Sequence, residues 1–244
     1  MDKRGYFSAS RITELLAEGT GATRQTYLID LALDAIGLKK EFDTPQMEHG
    51  RNTEHDAFEF CVKPLYPNAF IKSDEFELIN DELGCSTDVE FTDSKDVLDI
   101  KCPQLKGFLE SKKAVNVSKQ YYDQIQTQLL KTGGEIGYLL YYLQKPVTWG
   151  NADSWKDYDF ENFDDNYFIK EIKKDEKRQE EILKSVEKYA PIKNEIIEML
   201  LNAPEIEFKE HFKLNDEKFM RPIKKSRDIL KEKIYKYDNE FYIY

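Results

Sequence analysis

The first part of the chain repeats apolar and polar residues with the period of an α-helix. Its Ser-Ala-Ser segment at residues 8–10 could cap a first helix, and a second apolar repeat ends at Gly37. A third helix is predicted after Pro45, and Pro64 and Pro67 are expected to stop it. The first third of the chain is therefore predicted to be helical.

The pattern then changes to short apolar segments separated by polar turns, which is typical of strands. Strands are predicted over residues 69–79, 85–91, 96–102, 135–143 and 166–172, the first three of them antiparallel. Between them, Ser118 is a predicted cap for a helix that Gly133 closes. A long helix is predicted from Asp175 to Leu201, and Pro191 should kink or divide it.

These elements predict an α+β protein without internal repeats or a low-complexity linker. We place one domain at residues 1–202. Residues 203–244 are charged and aromatic, with weak periodicity, and we interpret them as a C-terminal extension of unknown role.

Composition narrows the class of protein. The 244 residues carry 36 basic and 47 acidic side chains. The net charge of −11 disfavours a protein that binds nucleic acid over its whole surface, but it is compatible with a local basic groove. The three cysteines have no spacing that predicts a disulfide framework or a zinc site. No apolar run approaches about 18 residues, and the N-terminus has no hydrophobic signal core. We therefore expect a cytoplasmic protein that makes no membrane contact.

The residues most suited to metal binding or catalysis lie on two neighbouring predicted strands. In the second of these, Asp99 and Lys101 share one face because side chains alternate along a strand. Asp88 lies on the preceding strand, within reach of the same site. Two carboxylates surrounded by oxygen donors suit Mg²⁺ or Mn²⁺, and a neighbouring lysine can hold or deprotonate a water.

Each of these features also has an ordinary structural interpretation. Asp and Lys alternating on an edge strand often form a solvated ion pair, and Glu54, one turn after Gly50, could be an exposed helical glutamate. On the helix after Ser118, Tyr121, Gln124 and Gln128 share one face, which we interpret as exposed and able to bind phosphate oxygens. The combination of these features is more informative than any one of them.

Five short motifs in the same order resemble the phage lambda-type exonuclease, or YqaJ-like viral recombinase, group of the PD-(D/E)xK nuclease superfamily. They are F-S-A-S-R at residues 7–11, H-G-R-N-T-E at 49–54, G-C-S-T-D at 84–88, L-D-I-K-C-P at 98–103 and Y-Y-D-Q-I-Q at 121–126. The resemblance covers residues 1–202. It implies a restriction-endonuclease-like core, in which helices flank a central mixed β-sheet.

The resemblance also implies roles for individual residues. The implied catalytic residues are Glu54, Asp88, Asp99, Lys101 and Gln124. Two Mg²⁺ or Mn²⁺ ions per site would be held by Asp88, Asp99, the backbone carbonyl of Ile100 and Glu54. Lys101 would orient the attacking water, and Gln124 would help to hold the site.

A second implied set binds DNA and its terminal 5′-phosphate. It comprises Lys3, Arg4, Ser10, Arg11, Ser86, Tyr121 and Gln124. In this set the serines line the phosphate pocket, Lys3 or Arg4 supplies the charge, and Arg11 is a rival donor.

Two departures from the family pattern bear on activity. The family commonly has E-x-K where this chain has D-I-K, and Thr87 and Val89 replace the usual proline and glycine around the first aspartate. The resemblance implies a 5′→3′ exonuclease for double-stranded DNA, a homotrimer, and a single-strand annealing protein as partner in phage recombination. The alternatives are a RecB- or Cas4-like single-strand nuclease and a non-catalytic module that binds DNA ends. A phage-encoded protein would act in the cytoplasm of the bacterial host.

Overall fold

The computed structural model of the protein describes residues 3–18, 22–38, 45–72, 75–144 and 166–202. The predicted extension at residues 203–244 lies outside the described residues. The strands are β1 (Phe7–Ser8), β2 (Ala69–Ile71), β3 (Glu77–Leu78), β4 (Leu83–Cys85), β5 (Val89–Phe91), β6 (Val97–Lys101), β7 (Ile136–Tyr142) and β8 (Tyr167–Lys173). The helices are α1 (Ile12–Leu15), α2 (Ala22–Ala35), α3 (Pro45–Ala57), α4 (Lys63–Leu65), α5 (Leu105–Lys113), α6 (Lys119–Thr132) and α7 (Glu176–Leu201).

A mixed sheet with strand order β2-β5-β6-β7-β8 forms the centre of the protein. The β6–β7 pair is parallel, and the other neighbours in this sheet are antiparallel. A smaller sheet has the order β1-β4-β3, in which β1 and β4 are parallel. The predicted α+β class and mixed central sheet are confirmed.

Helices cover both faces of the large sheet. On one face, Leu98 and Ile100 pack with Phe58 from the π-helical segment Phe58–Val62 that continues α3. On the other face, β6 and β7 pack against α5 and α6 through residues such as Phe108 and Ile125. A third apolar cluster joins α1, α2 and α7. The strand β6 is thus enclosed on both sides, and its polar residues lie beneath α6.

The helices with complete sequence signals agree with the predictions. Ser118 caps α6 by accepting a hydrogen bond from the Tyr121 amide, and Gly133 ends the helix with a left-handed φ of 72°. Gly37 has the same φ after α2. The helix α7 continues through Pro191, so the predicted division does not occur. Within the described part of the chain, no helix has the length and apolar character that a membrane span requires.

Several local predictions were wrong. Ser8 precedes a 3₁₀ turn at Ala9–Arg11 without a side-chain capping bond, and its hydroxyl lies 3.4 Å from that of Ser10 instead. Pro64 lies inside α4 and does not end the helical segment before it. The helix α5 lies between β6 and α6, where no element was predicted.

The strand boundaries also differ from the prediction. The segments expected at 69–79 and 85–91 are each divided between the two sheets, because β3 and β4 pair with each other, and β4 also pairs with β1, in the small sheet. The small sheet could not be predicted locally, since β1 lies more than seventy residues before its partner β4 in the sequence. The three cysteines are free, as their spacing predicted.

Candidate active site

The register between two antiparallel strands brings the candidate carboxylates together. Val89 of β5 pairs with Leu98 of β6, and one further step along this register places Asp88 opposite Asp99. The backbone amide of Ile100 donates a hydrogen bond of 2.7 Å to Oδ2 of Asp88. The amide of Lys72 also holds the Asp88 carbonyl, at 2.9 Å. The sequence-based expectation that Asp88 and Asp99 converge therefore agrees with the geometry.

Asp99 is almost fully buried, with 1% of its surface exposed. Its Oδ1 accepts hydrogen bonds from the side-chain amides of Gln124, at 2.7 Å, and Gln128, at 3.0 Å. Its Oδ2 has no hydrogen-bond partner among the described residues but forms an ion pair with Lys101. The two oxygens of this carboxylate thus have different roles: one is held by amides, and the other faces positive charge.

The charges around Asp88 act on its ionisation. Burial is the main cause that raises the pKa of Asp88 well above its ordinary value, and the negative charges of Asp99 and Glu54 act in the same direction. Lys101 and the Ile100 amide oppose this rise without cancelling it. Carboxylates that destabilise one another's charge in this way favour a site that a cation can stabilise.

Lys101 lies between the two carboxylates and an aromatic ring. Its Nζ is 5.1 Å from the ring centroid of Tyr121, whose ring meets that of Tyr141 edge to face at 6.2 Å. Burial lowers the pKa of Lys101, but attraction to Asp99 and Asp88 outweighs this effect and the net shift is upward. The structure therefore places Lys101, as a cation, beside Asp99 and Asp88.

Glu54 approaches this site from α3. Its Oε1 lies near Gly50, where an added Cβ would be 3.9 Å away, so the predicted one-turn spacing places the carboxylate beside a small residue. Its charge reaches both Asp88 and Cys102, because it raises the pKa of each. Among the described residues, no three histidine, cysteine or acidic side chains form a metal-binding group. The candidate metal centre is the pair of Asp88 and Asp99, which the Glu54 carboxylate approaches from α3.

This donor set fits Mg²⁺ or Mn²⁺. These ions prefer oxygen ligands, and Mg²⁺ commonly binds proteins through one or two carboxylates while water and substrate phosphates complete its coordination. The buried Asp99 Oδ2, which contacts the Lys101 ammonium and accepts no amide hydrogen bond, is an oxygen donor of the kind that such an ion binds.

Two serines predicted for a phosphate pocket lie at the same end of the small sheet. Ser8 pairs with Gly84 in the parallel β1–β4 ladder, and Ser10 and Ser86 each follow by two residues. The Ser10 carbonyl accepts a bond of 3.4 Å from Gln120 at the start of α6. Ser10 is exposed and Ser86 is half-buried, so both can be reached from solvent.

The basic residues predicted to bind DNA have different surroundings. Lys3 and Arg4 are exposed at the N-terminus, and a guanidinium nitrogen of Arg4 lies near Gly37 at the end of α2. Arg11 donates to Glu14 at 2.6 Å and to Asp30 at 3.3 Å. Hydrogen bonding to Glu14 raises the pKa of Arg11 further above its ordinary value. Arg11 would have to leave these carboxylates in order to bind a phosphate.

The interpretation of the α6 glutamines as an exposed stripe was wrong. Gln124 is 8% exposed and Gln128 is 0% exposed, and both amides face Asp99 instead of solvent. Gln124 therefore donates its side-chain amide to Asp99, and this amide does not face solvent. Gln128 was predicted as part of this exposed face and not among the residues beside the carboxylates; its spacing of one turn from Gln124 is the signal that could have placed it there.

A second group of charges supports the segment that carries Asp88. Lys131, one turn beyond Gln128, lies 2.7 Å from carboxylate oxygens of both Glu77 and Glu90. Lys72 pairs with the same two carboxylates. Thr87 donates to Glu90 at 2.8 Å. One face of α6 thus contacts β3, β5 and β6 as well as the turn before β5.

Solved structures of other proteins share this fold. An alkaline exonuclease, LHK-Exo, from Laribacter hongkongensis superposes with a TM-score of 0.65 and 22% identity, covering 81% of this chain and 92% of that one. The same values hold for LHK-Exo in complex with dAMP. A phage related exonuclease from Haemophilus somnus 129PT superposes with a TM-score of 0.59 and 15% identity, covering 80% of this chain and 95% of that one. These similarities confirm the PD-(D/E)xK nuclease fold.

Sequence comparisons define the family. A search of curated proteins finds no match. The family model described as the YqaJ-like viral recombinase domain matches residues 1–135, which include β6 with Asp99 and Lys101 and the whole of α6. Because this match spans more than half of the chain, the protein belongs to the YqaJ-like viral recombinase domain family.

Proposed function

We propose that this protein is a metal-dependent DNA exonuclease that degrades double-stranded ends in the 5′→3′ direction during phage-type homologous recombination. The observation that carries the proposal is the pairing of Asp88 and Asp99 across β5 and β6, with Lys101 beside them. Membership of a viral recombinase family supports it. The solved structures with this fold are named as exonucleases, which supports the same activity here.

In this proposal the site uses Mg²⁺ or Mn²⁺, two ions per site. Asp88, Asp99, the Ile100 carbonyl and Glu54 would hold them. When bound, such ions neutralise charge that develops on the phosphate and make water easier to deprotonate.

The protein's own groups would orient the reactants. Gln124 fixes Asp99, and the Lys101 ammonium orients the attacking water beside the scissile phosphate. The water oxygen forms a bond to phosphorus as the bond from phosphorus to the 3′ oxygen breaks, and a proton from the water reaches the leaving oxygen through solvent. The released nucleotide carries the 3′ hydroxyl, and the shortened strand begins with a new 5′-phosphate.

Recognition of a duplex end is assigned to the serine pocket. Ser10 and Ser86 would donate to a terminal 5′-phosphate, with Lys3 or Arg4 supplying charge and Tyr121 contacting the DNA. We further propose assembly as a homotrimer, cooperation with a single-strand annealing protein, and action in the cytoplasm of a bacterial host.

A direct test uses the full chain, Mg²⁺ and duplexes labelled at either end. We expect loss of label from the 5′ end first, and no cleavage after chelation. Asp99→Asn keeps the size of the side chain but removes its charge, and a loss of several kcal/mol of transition-state stabilisation predicts a rate at least ~100-fold lower. Asp93→Asn, which changes an exposed carboxylate in the turn before β6, is the matched control. Cleavage by Asp99→Asn at the rate of Asp93→Asn would refute the proposal, whereas end binding without cleavage by the wild type would identify a non-catalytic module.

The same assay tests the pocket for the 5′-phosphate. Phosphorylated ends should be degraded faster than hydroxyl ends, and Ser10→Ala and Ser86→Ala should each reduce this preference by about tenfold, because a hydrogen bond to a charged group contributes roughly 1.5–3 kcal/mol. Arg11→Ala tests the rival donor. If the wild type degrades phosphorylated and hydroxyl ends at equal rates, the proposed 5′-phosphate pocket is refuted.

A further inference from the structure

Gln128 joins the two strands that carry the carboxylates. Its Nε2 donates one hydrogen bond of 3.0 Å to Oδ1 of Asp99 and a second of 3.0 Å to the carbonyl of Ser86. The side chain has no exposed surface. Since Ser86 lies two residues before Asp88, this one amide bridges the strand of the second carboxylate and the segment leading to the first.

The orientation of this amide is determined by its surroundings. Both groups at Nε2 are acceptors, so the reversed amide would place its oxygen against a carboxylate and a carbonyl. In the observed orientation Oε1 has no hydrogen-bond partner among the described residues, although it is buried. A buried acceptor without a partner is unfavourable, and a leucine or methionine would avoid it. Gln128 therefore fits a role in the site better than a role in stability alone.

We propose that Gln128 is a positioning residue for Asp99 and Asp88. By holding Oδ1, it leaves Oδ2 of Asp99 directed at the cationic side of the site, where Lys101 lies. By holding the Ser86 carbonyl, it sets the distance between the two carboxylates. This inference rests on the proposed function, because it assigns Gln128 to the metal-binding carboxylates of that same site.

The chain offers a matched control in the same helix. Gln126 is also buried without exposed surface, and its amide forms comparable bonds: it donates to the Lys173 carbonyl at 2.8 Å and accepts from the Asp175 amide at 2.8 Å and from the Gln179 amide at 3.5 Å. These contacts join α6 to β8 and α7, away from the carboxylates. Gln126→Met and Gln128→Met thus remove the same chemical group from the same helix, with only the second change at the site.

The experiment measures cleavage and ion binding in the full chain, each normalised to the folded fraction from circular dichroism. Loss of groups that orient metal ligands typically lowers affinity or activity by about 10- to 100-fold. We expect Gln128→Met to lower the single-turnover rate by that factor and to weaken Mn²⁺ binding in calorimetry without DNA, while DNA affinity stays unchanged. Gln126→Met should match the wild type in all three. Gln128→Asn, whose shorter amide cannot reach both acceptors, replaces Gln128→Met if that variant does not fold.

The outcomes separate this inference from the function on which it rests. If the wild type degrades DNA and the Gln128 and Gln126 variants behave alike, Gln128 has no positioning role and the nuclease proposal stands. If the wild type binds Mn²⁺ without degrading DNA, and Gln128→Met weakens that binding, the nuclease proposal fails and the positioning role is supported. If the wild type does neither, both are overturned.

Discussion

Asp123→Ala should strongly destabilise the protein, because Asp123 anchors the helix that supports the site. Its carboxylate is fully buried, and its Oδ1 accepts from Arg178 Nε at 2.7 Å. Its Oδ2 accepts from Arg178 at 2.9 Å and from the Thr13 hydroxyl at 2.7 Å. These bonds connect α6 to α1 and α7. The change would leave a guanidinium and a hydroxyl without their buried acceptor.

The surroundings of Arg178 set the expected magnitude. Removing one partner of a buried ion pair costs about 3–5 kcal/mol. The Arg178 side chain is 16% exposed and keeps a bond of 2.8 Å to Glu181, so we expect the lower end, about 3 kcal/mol. For a chain of this size, 1 kcal/mol shifts Tm by roughly 2–4 °C. The variant should therefore melt about 6–12 °C below the wild type.

The assay is thermal and urea unfolding of the full chain, followed by circular dichroism. Arg178→Met and the double variant complete a thermodynamic cycle, in which the double variant should lose less free energy than the sum of the single variants. Glu181→Gln is the control, because this half-exposed partner of Arg178 should contribute less than about 1 kcal/mol. A Tm for Asp123→Ala no lower than that of Glu181→Gln would refute the reasoning.

Two further predictions concern Lys101, which lies beside the carboxylates, and Lys131, which pairs with Glu77 and Glu90. Lys101→Met removes the ammonium but keeps most of the stem, so the single-turnover rate should fall by ~10²–10⁴ while DNA affinity is retained; an unchanged rate would make Lys101 a simple ion-pair residue. Lys131 lowers the pKa of Glu77, and its bond, with those of Thr87 and Lys72, lowers the pKa of Glu90 against the opposing effect of burial. This stabilisation is present above the ordinary glutamate pKa of about 4.3 and is lost as the pH falls through the lowered values. Lys131→Met should therefore cost about 1–3 kcal/mol at pH 7 and progressively less below about pH 4, as measured by urea unfolding; an equal cost at pH 3 and pH 7 would contradict this account.

Elements with strong local signals could be predicted from the sequence. The helix α6 has a capping serine, an apolar face and a terminal glycine, and β7 is a continuous apolar run. The strand β1 has two residues and is paired with β4 more than seventy positions later, so it had no local signal. The helix α5 was missed because Phe108 is its one buried residue and Gly107 precedes it.

The carboxylate pair was predictable for a related reason. Leu98 and Ile100 alternate with Asp99 and Lys101, and this alternation requires the charged residues to share the face opposite the apolar ones. The packing of Leu98 and Ile100 beneath the π-helical segment confirms that division. The sequence did not indicate that the charged face is itself covered, because the covering residues are distant in the chain.

The glutamines of α6 show why the rest of the site required the structure. Along a helix, polar residues at 124, 128 and 131 opposite apolar ones normally indicate an exposed face. That interpretation fails where the polar face meets a buried carboxylate, since amide donors are then more favourable than solvent. The partner, Asp99, lies 25 residues before Gln124 and 29 before Gln128, and nothing local links them. It follows that charge matters more than size at these positions: a glutamate at 128 would place a second negative charge against Asp99 and should be tolerated less well than methionine, although it is closer to glutamine in shape.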